Sequence, residues 1–160
     1  MFRIGFGNDV HRLGSGHPLI IGGVRIDSEL GAEGHSDADV LLHAITDALF
    51  GALAEGDIGT HFPNNEERWL NAESIVFLRF AVGVMKQRVF RVVNVDSTVD
   101  LESPKLRPYI DEMRKGIADA LEVGTNRVSI KAKTGEGVDA VGELRAVRAE
   151  AIIMIERSGD

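Results

Sequence analysis

Asp9 and His11 stand two residues apart in a segment of alternating character, so on a strand both side chains leave the same face and can grip one ion. His43 follows from a later, helical segment and supplies a third donor from a separate element, which would fix the ion in three dimensions. Two imidazoles and one carboxylate leave a coordination position open, the habit of catalytic rather than structural zinc. The competing reading has Asp9 capping a turn and both histidines on the surface or as satisfied core residues, since Asp-x-His recurs by chance. Asp47, four residues after His43, either orients that imidazole through its other nitrogen or is an ordinary solvated helical carboxylate.

A second group, His35-Ser36-Asp37-Ala38-Asp39, sets a histidine, a hydroxyl and carboxylates at a helix start, where free backbone N–H groups favour phosphate. Capping explains the same residue types. Gly56-Asp57-Ile58-Gly59 and Phe62-Pro63-Asn64-Asn65-Glu66 form a polar loop that either holds a sugar or connects helices. Ser103-Pro104-Lys105-Leu106 puts an ammonium beside a rigid turn, and Lys131, Lys133, Thr134 and Glu136 gather donors and a carboxylate at a strand end. That end suits a second, oxygen-loving cation such as magnesium, or is a plain charged terminus.

The elements that must position these residues follow from periodicity. Phe2 to Asp9, Leu19 to Ile21 and Val24 to Ile26 read as strands, the last two joined by a Gly22-Gly23 turn. After the Ser36–Asp39 cap, Val40, Leu41, Ile45, Ala48, Leu49 and Leu53 recur at helical spacing and predict a helix over about 39–54. Ile75, Leu78, Val82 and Met85 mark a second helix ending near Lys86, and Val89 to Leu101 a strand with one wet face. A helix over about 107–121, a strand over 127–133, a glycine-rich loop and a strand over 146–157 complete the order β-β-α-α-β-α-β. This predicts an α/β (α+β) sandwich of ferredoxin-like kind, one domain over residues 1–160, with a mixed sheet carrying helices on one face. The other face needs cover, for which oligomerisation is the obvious means.

The 25 acidic residues outnumber the 18 basic ones to give a formal charge of −7, so nucleic acid is a poor partner and an anionic ligand must be met locally. With no cysteine, disulfides and thiolate-bound zinc are excluded and a reducing compartment is suited, so a cytoplasmic location is expected. Neither an export signal nor a membrane span is expected.

Taken together, Arg3-Ile4-Gly5, Asp9-Val10-His11, Ile21-Gly22-Gly23-Val24, His35-Ser36-Asp37 with Asp39, His43-Ala44 with Thr46-Asp47-Ala48-Leu49, Gly56-Asp57-Ile58-Gly59, Phe62-Pro63, Asn94-Val95-Asp96, Pro104-Lys105 and Lys131-Ala132 form ordered blocks. In these the chain resembles the 2-C-methyl-D-erythritol 2,4-cyclodiphosphate synthase family almost end to end. The resemblance implies zinc or a related divalent metal at Asp9, His11 and His43, transition-state stabilisation by His35 and Thr134, and a magnesium or manganese ion with the substrate diphosphate near Glu136. It implies a substrate site made of Asp9, His11, His35, Ser36, Asp57, Ile58, Gly59, Phe62, Pro63, Asn64, Asn65, Glu66, Leu101, Glu102, Ser103, Pro104, Lys105, Leu106, Arg107, Lys133, Thr134, Gly135 and Glu136. Within this set Asp57 is expected on the erythritol portion and 101–107 around cytosine. The implied reaction is intramolecular attack of a 2-phosphate on a diphosphate, releasing CMP, in a homotrimer with active sites between subunits. Two other functions remain open on the residues alone, a metal-dependent phosphohydrolase with His35 as base and a non-catalytic metal or isoprenoid-phosphate binding module.

The chain departs from the resembled pattern at Asn64, where an aspartate is common, and in the last loop, where Ala140 and Glu143 stand near positions that often carry an aromatic and an arginine. Arg145 and Arg148 are the nearby cations that would compensate.

Overall fold

Alternation along the first strand decides the architecture. In β1 (Phe2–Ser15) Gly5, Gly7 and Leu13 face a core while Phe2, Ile4, Phe6 and Val10 stay exposed on the other side. The computed structural model describes residues 1–63 and 65–159. β1 pairs along most of its length with β7 (Ala146–Arg157), and β7 pairs antiparallel with β5 (Phe90–Asp100). β5 lies parallel to β6 (Val128–Lys133), and β4 (Leu30–Ala32) extends the far end of β1, giving the sheet order β4-β1-β7-β5-β6. The parallel pair needs a crossover, and the helix α4 (Ile110–Leu121) supplies it with Ile110, Met113, Ile117 and Leu121 turned inward. A separate hairpin joins β2 (Leu19–Ile21) and β3 (Val24–Ile26) through Gly22 and Gly23, both at positive φ, as a two-residue turn demands.

The helix α1 (Val40–Leu53) is apolar nearly all round, and Leu41, Leu42, Ala44, Ile45, Ala48 and Leu49 are fully buried between the sheet and its neighbours. It lies directly on β1, because a Cβ at Gly5 would overlap the carbonyl oxygen of Ala48 and one at Gly7 that of Ala44. Each large aliphatic side chain buried here contributes about 1.5–3 kcal/mol, so α1 is the element the core is built around. The helix α3 (Ile75–Gln87) packs on α1 through Phe77, Leu78, Ala81 and Val82, and all the long helices sit on one sheet face.

This is the mixed α/β sandwich expected, with three additions. β4, the short helix α2 (Ile58–His61) and the short helix α5 (Asp139–Gly142) have no periodicity of their own to announce them. β1 runs to Ser15 rather than stopping near Asp9, because pairing with β7 and then β4 carries the ladder past His11. The third predicted helix begins as a 3-10 turn over Arg107–Tyr109, with Pro108 inside it, before α4 starts at Ile110. No helix among the described residues is long and apolar enough to cross a membrane.

Candidate active site

β1 carries Asp9 and His11 on its helix-side face, opposite Ala149 and Val147 of β7. Two residues earlier on that face, Gly7 lets α1 approach closely enough for His43 to stand beside them. His43 Nδ1 lies 2.9 Å from Asp9 Oδ2, His11 Nε2 lies 2.9 Å from the same oxygen, and the two nitrogens are 3.3 Å apart. Tetrahedral ligands about 2.0–2.1 Å from zinc stand roughly 3.3–3.4 Å from one another, so this triangle needs only slight opening to hold the ion. His11 Nδ1 is 2.9 Å from the Glu33 carbonyl, which only accepts, so that nitrogen carries the proton and Nε2 presents a lone pair to the cluster. A carboxylate and imidazole lone pairs aimed at one point repel unless a cation lies between them, and the residues fit a divalent metal on that ground. Among the described residues this is the one trio of metal-ligating side chains that converges in this way.

Asp9 also pairs electrostatically with the protonated form of these imidazoles, whose protons a bound cation would displace. Burial would push the Asp9 carboxyl up, but hydrogen bonds and charge from His11 and His43 outweigh it and hold the group below the usual carboxylate range. Burial would lower His11, but the hydrogen bond and charge of Asp9 raise it, helped by the Glu33 carbonyl. Asp39 is fully buried, accepting from Leu41 and Leu42 at 3.1 and 3.0 Å and from Gly22 and Gly23 at 2.9 and 2.6 Å. It caps α1 and ties the β2–β3 turn to it. Burial pushes its carboxyl up to about 6 against the backbone N–H groups that hold it down.

Asp47 does not orient His43, nor is it freely solvated. It is half-buried and accepts the Ile58 N–H at 2.7 Å, fastening the start of α2, while burial raises its pKa. The His43 Nε2 atom faces two hydroxyls instead, Ser74 Oγ at 2.8 Å and Ser36 Oγ at 3.2 Å.

The cluster opens onto a cavity of about 560 Å³. Of the residues named from the sequence, His11, His35, Ser36, His43, Ile58, Gly59, Phe62, Pro63 and Asn65 line it and Asp9, Asp57 and Glu66 do not, while Trp69 and Phe77 add an aromatic wall. Phe62 meets Trp69 edge-on at 4.9 Å and Phe77 at 4.5 Å, so the wall packs as one unit. Trp69 and Phe77 escaped sequence reasoning because an aromatic near a helix start reads as ordinary core. His35 Nε2 donates to the Glu66 carbonyl at 3.2 Å, which pins the ring to the loop. Asp57 caps α2 through Thr60, accepting from its N–H at 2.9 Å and its hydroxyl at 2.8 Å, and those bonds lower its pKa. Asn64 lies outside the described residues.

The remaining predicted site residues gather elsewhere. Leu101 to Arg107 and Lys133 to Glu136 follow the ends of the parallel strands β5 and β6, where Leu101 N–H donates to the Lys133 carbonyl at 2.9 Å and Gly135 N–H to Glu102 Oε2 at 2.8 Å. Thr134 Oγ1 donates to Glu136 Oε1 at 2.8 Å. Leu101 and Leu106 are buried, so these two offer a ligand their backbone rather than their side chains. Ser103 and Pro104, joined by a cis peptide, line a separate cavity of about 510 Å³ with Asp27 to Leu30 and Leu144. β7 and β5 lie between β1 and β6, a separation of roughly 14 Å at strand spacing, and the first cavity includes none of this second group. In the altered loop Arg145 is paired with Glu143 at 2.6 Å and Arg148 with Asp100 at 2.9 Å, so both cations are already matched.

The sequence model of the YgbB family matches residues 2–156. The chain belongs to the YgbB family. Its relatives include the 2-C-methyl-D-erythritol 2,4-cyclodiphosphate synthase of Solibacter usitatus, 51% identical over 97% of this chain and 98% of its own length. The enzyme of the same name from Bacillus subtilis is 46% identical over 98% of this chain and 99% of its own. Among solved structures, a 2C-methyl-D-erythritol-2,4-cyclodiphosphate synthase superposes with a TM-score of 0.89 at 37% identity, covering 96% of this chain and all of that one. IspF of Plasmodium falciparum, solved as a CDP complex, has a TM-score of 0.87 at 32% identity and covers 99% and 97% of the two chains. YgbB-family membership thus gives the chain the fold and the enzyme class of these synthases.

Proposed function

We propose that the cavity beside Asp9, His11 and His43 folds 4-diphosphocytidyl-2-C-methyl-D-erythritol 2-phosphate on itself for ring closure. The activity follows from the family: the chain is a cyclodiphosphate synthase, a lyase acting on phosphorus–oxygen bonds in the non-mevalonate route to isoprenoid precursors. An oxygen of the 2-phosphate bonds to the β-phosphorus, the bond from that phosphorus to the bridging oxygen breaks, and CMP leaves with the electron pair. Nucleophile and electrophile share one molecule, so the protein's task is an in-line pose rather than activation of water. The observation that carries this reading is the convergence of three electron-pair donors, two of which, His11 and His43, line a polar and aromatic cavity.

Asp9, His11 and His43 would hold a divalent metal, zinc being the best match to the donors, and when bound it supplies Lewis-acid stabilisation of phosphoryl charge. Ile58, Gly59 and the Phe62 wall take the methylerythritol end, with Asp57 at the nearby turn. His35 and Thr134 steady the developing charge. Leu101 to Arg107 receive cytosine, consistent with the CDP carried by two structural relatives. Lys105 and Lys133 form no ion pair among the described residues and are available to phosphate. Glu136 offers an oxygen to a magnesium or manganese ion accompanying the diphosphate.

The two residue groups complete one site when the 101–107 and 133–136 edge of one subunit meets the cavity of another. A homotrimer with active sites at its subunit interfaces is therefore part of the proposal, each subunit's residues 1–160 acting as one catalytic domain in the cytoplasm. The test is to incubate zinc-loaded protein and magnesium with the cytidyl substrate and follow phosphorus by NMR. CMP and a cyclic diphosphate form with the native chain and at least 100-fold more slowly with His43→Ala. Orthophosphate as the product would refute the cyclase.

A further inference from the structure

We propose that Ser74 and Asp37 are positioning residues that fix the tautomer and direction of His43, a reading that rests on the metal site above. Ser74 is completely buried and does not line the cavity, so it touches no substrate. It stands at the N-cap of α3, yet its side chain caps nothing there. Its hydroxyl instead bridges Asp37 Oδ1, in a short hydrogen bond, and His43 Nε2 at 2.8 Å.

The direction of each bond follows from what the partners can do. An ionised carboxylate only accepts, so the hydroxyl's one proton goes to Asp37. Its oxygen then accepts from His43, and Nε2 must carry the imidazole proton. Nδ1 is left bare and aimed at Asp9 Oδ2, 2.9 Å away, where a cation would sit. Asp37 holds the hydroxyl in place by also accepting the Ser74 backbone N–H through Oδ2 at 3.0 Å and the Asp39 N–H through Oδ1 at 3.2 Å. Its own N–H donates to the Ala72 carbonyl at 3.0 Å. Ser36 Oγ, at 3.2 Å from the same nitrogen, is half-buried and faces the cavity, so a ligand can draw it away while Ser74 stays. The start of α3 thus reaches the metal through His43 alone.

Two measurements test this. Full-length protein with 15N-labelled histidine, stripped of metal and then zinc-loaded, is read by imidazole NMR. The expected His43 signals are Nε2–H with Nδ1 bearing the metal, and an Nδ1–H tautomer would overturn the proposal. Cobalt(II) titrations of native protein, Ser74→Ala, Ser74→Thr and Asp37→Ala supply the second. Ser74→Ala should bind cobalt at least about tenfold more weakly with altered visible bands, while Ser74→Thr, which keeps the hydroxyl, should retain native bands. Asp37→Ala should match Ser74→Ala, and the double variant should lose little more, as two links of one chain do. Native binding by Ser74→Ala would overturn the positioning role. Failure of the unaltered protein to bind cobalt would instead overturn the metal site itself, so the two failures are distinct.

Discussion

Asp9 Oδ2 is the shared vertex of the cluster, within 2.9 Å of a nitrogen from each histidine, so its loss should cost more than geometry alone. Asp9→Asn removes the one negative charge among the three donors and should weaken zinc binding by roughly a hundredfold or more, measured by competition with a chromophoric chelator. Unchanged affinity would mean the ion is held elsewhere. Asp9 and His11 were legible because a strand's period of two is short-range, and His43 because a cap and helical spacing fixed its element. Ser74 was not. It precedes a helix, where a serine reads as a cap, and nothing local reveals that the hydroxyl turns toward a residue 31 positions earlier in the chain.

At the scale of elements, the packing of α1 on β1 sets where His43 stands. Gly7→Ala would drive a methyl group into the Ala44 carbonyl, push the helix outward and cost about 2–4 kcal/mol in urea unfolding, with weaker zinc binding besides. Gly51, inside the same helix, meets nothing nearer than the Phe6 carbonyl at 3.8 Å, so Gly51→Ala should stabilise by about 0.5–1 kcal/mol through helix propensity. Opposite signs within one helix would separate close approach from general tolerance.

Asp39, at the start of that helix, gives a pH dependence. Its native carboxyl keeps a proton up to about 6, whereas an unfolded aspartate releases it near 3.8, so between those values the folded state holds more protons. Stability from this group is therefore present below the unfolded pKa and lost as pH rises through 6. Unfolding free energies compared with Asp39→Asn should show the native chain's relative stability falling between about pH 4 and 7, by an amount on the order of 3 kcal/mol. A flat difference would mean that the four N–H bonds keep the carboxylate ionised. The long helices were readable from apolar spacing, but α2 has only four residues and depends on the distant Asp47 carboxylate.

For the whole molecule, the sheet's outer face is the feature awaiting a partner. Phe2, Ile4, Phe6, Val10 and Ile152 are exposed there, and Phe6 is paired directly across from Ile152. Phe6→Glu should convert the proposed trimer to monomers in sedimentation equilibrium and abolish turnover, since each subunit alone separates the cavity from the 101–107 edge. A trimer that survives the change would place the interface elsewhere. The alternation of β1 and the need to cover its second face were visible in the sequence, whereas the order β4-β1-β7-β5-β6 depends on pairings up to the length of the chain apart. In the proposed reaction the substrate's own phosphate, and not water, attacks phosphorus. Turnover in 18O-enriched water followed by mass spectrometry of both products distinguishes the two: CMP and the cyclic diphosphate should carry no heavy oxygen, and 18O in either product would mean that water attacks.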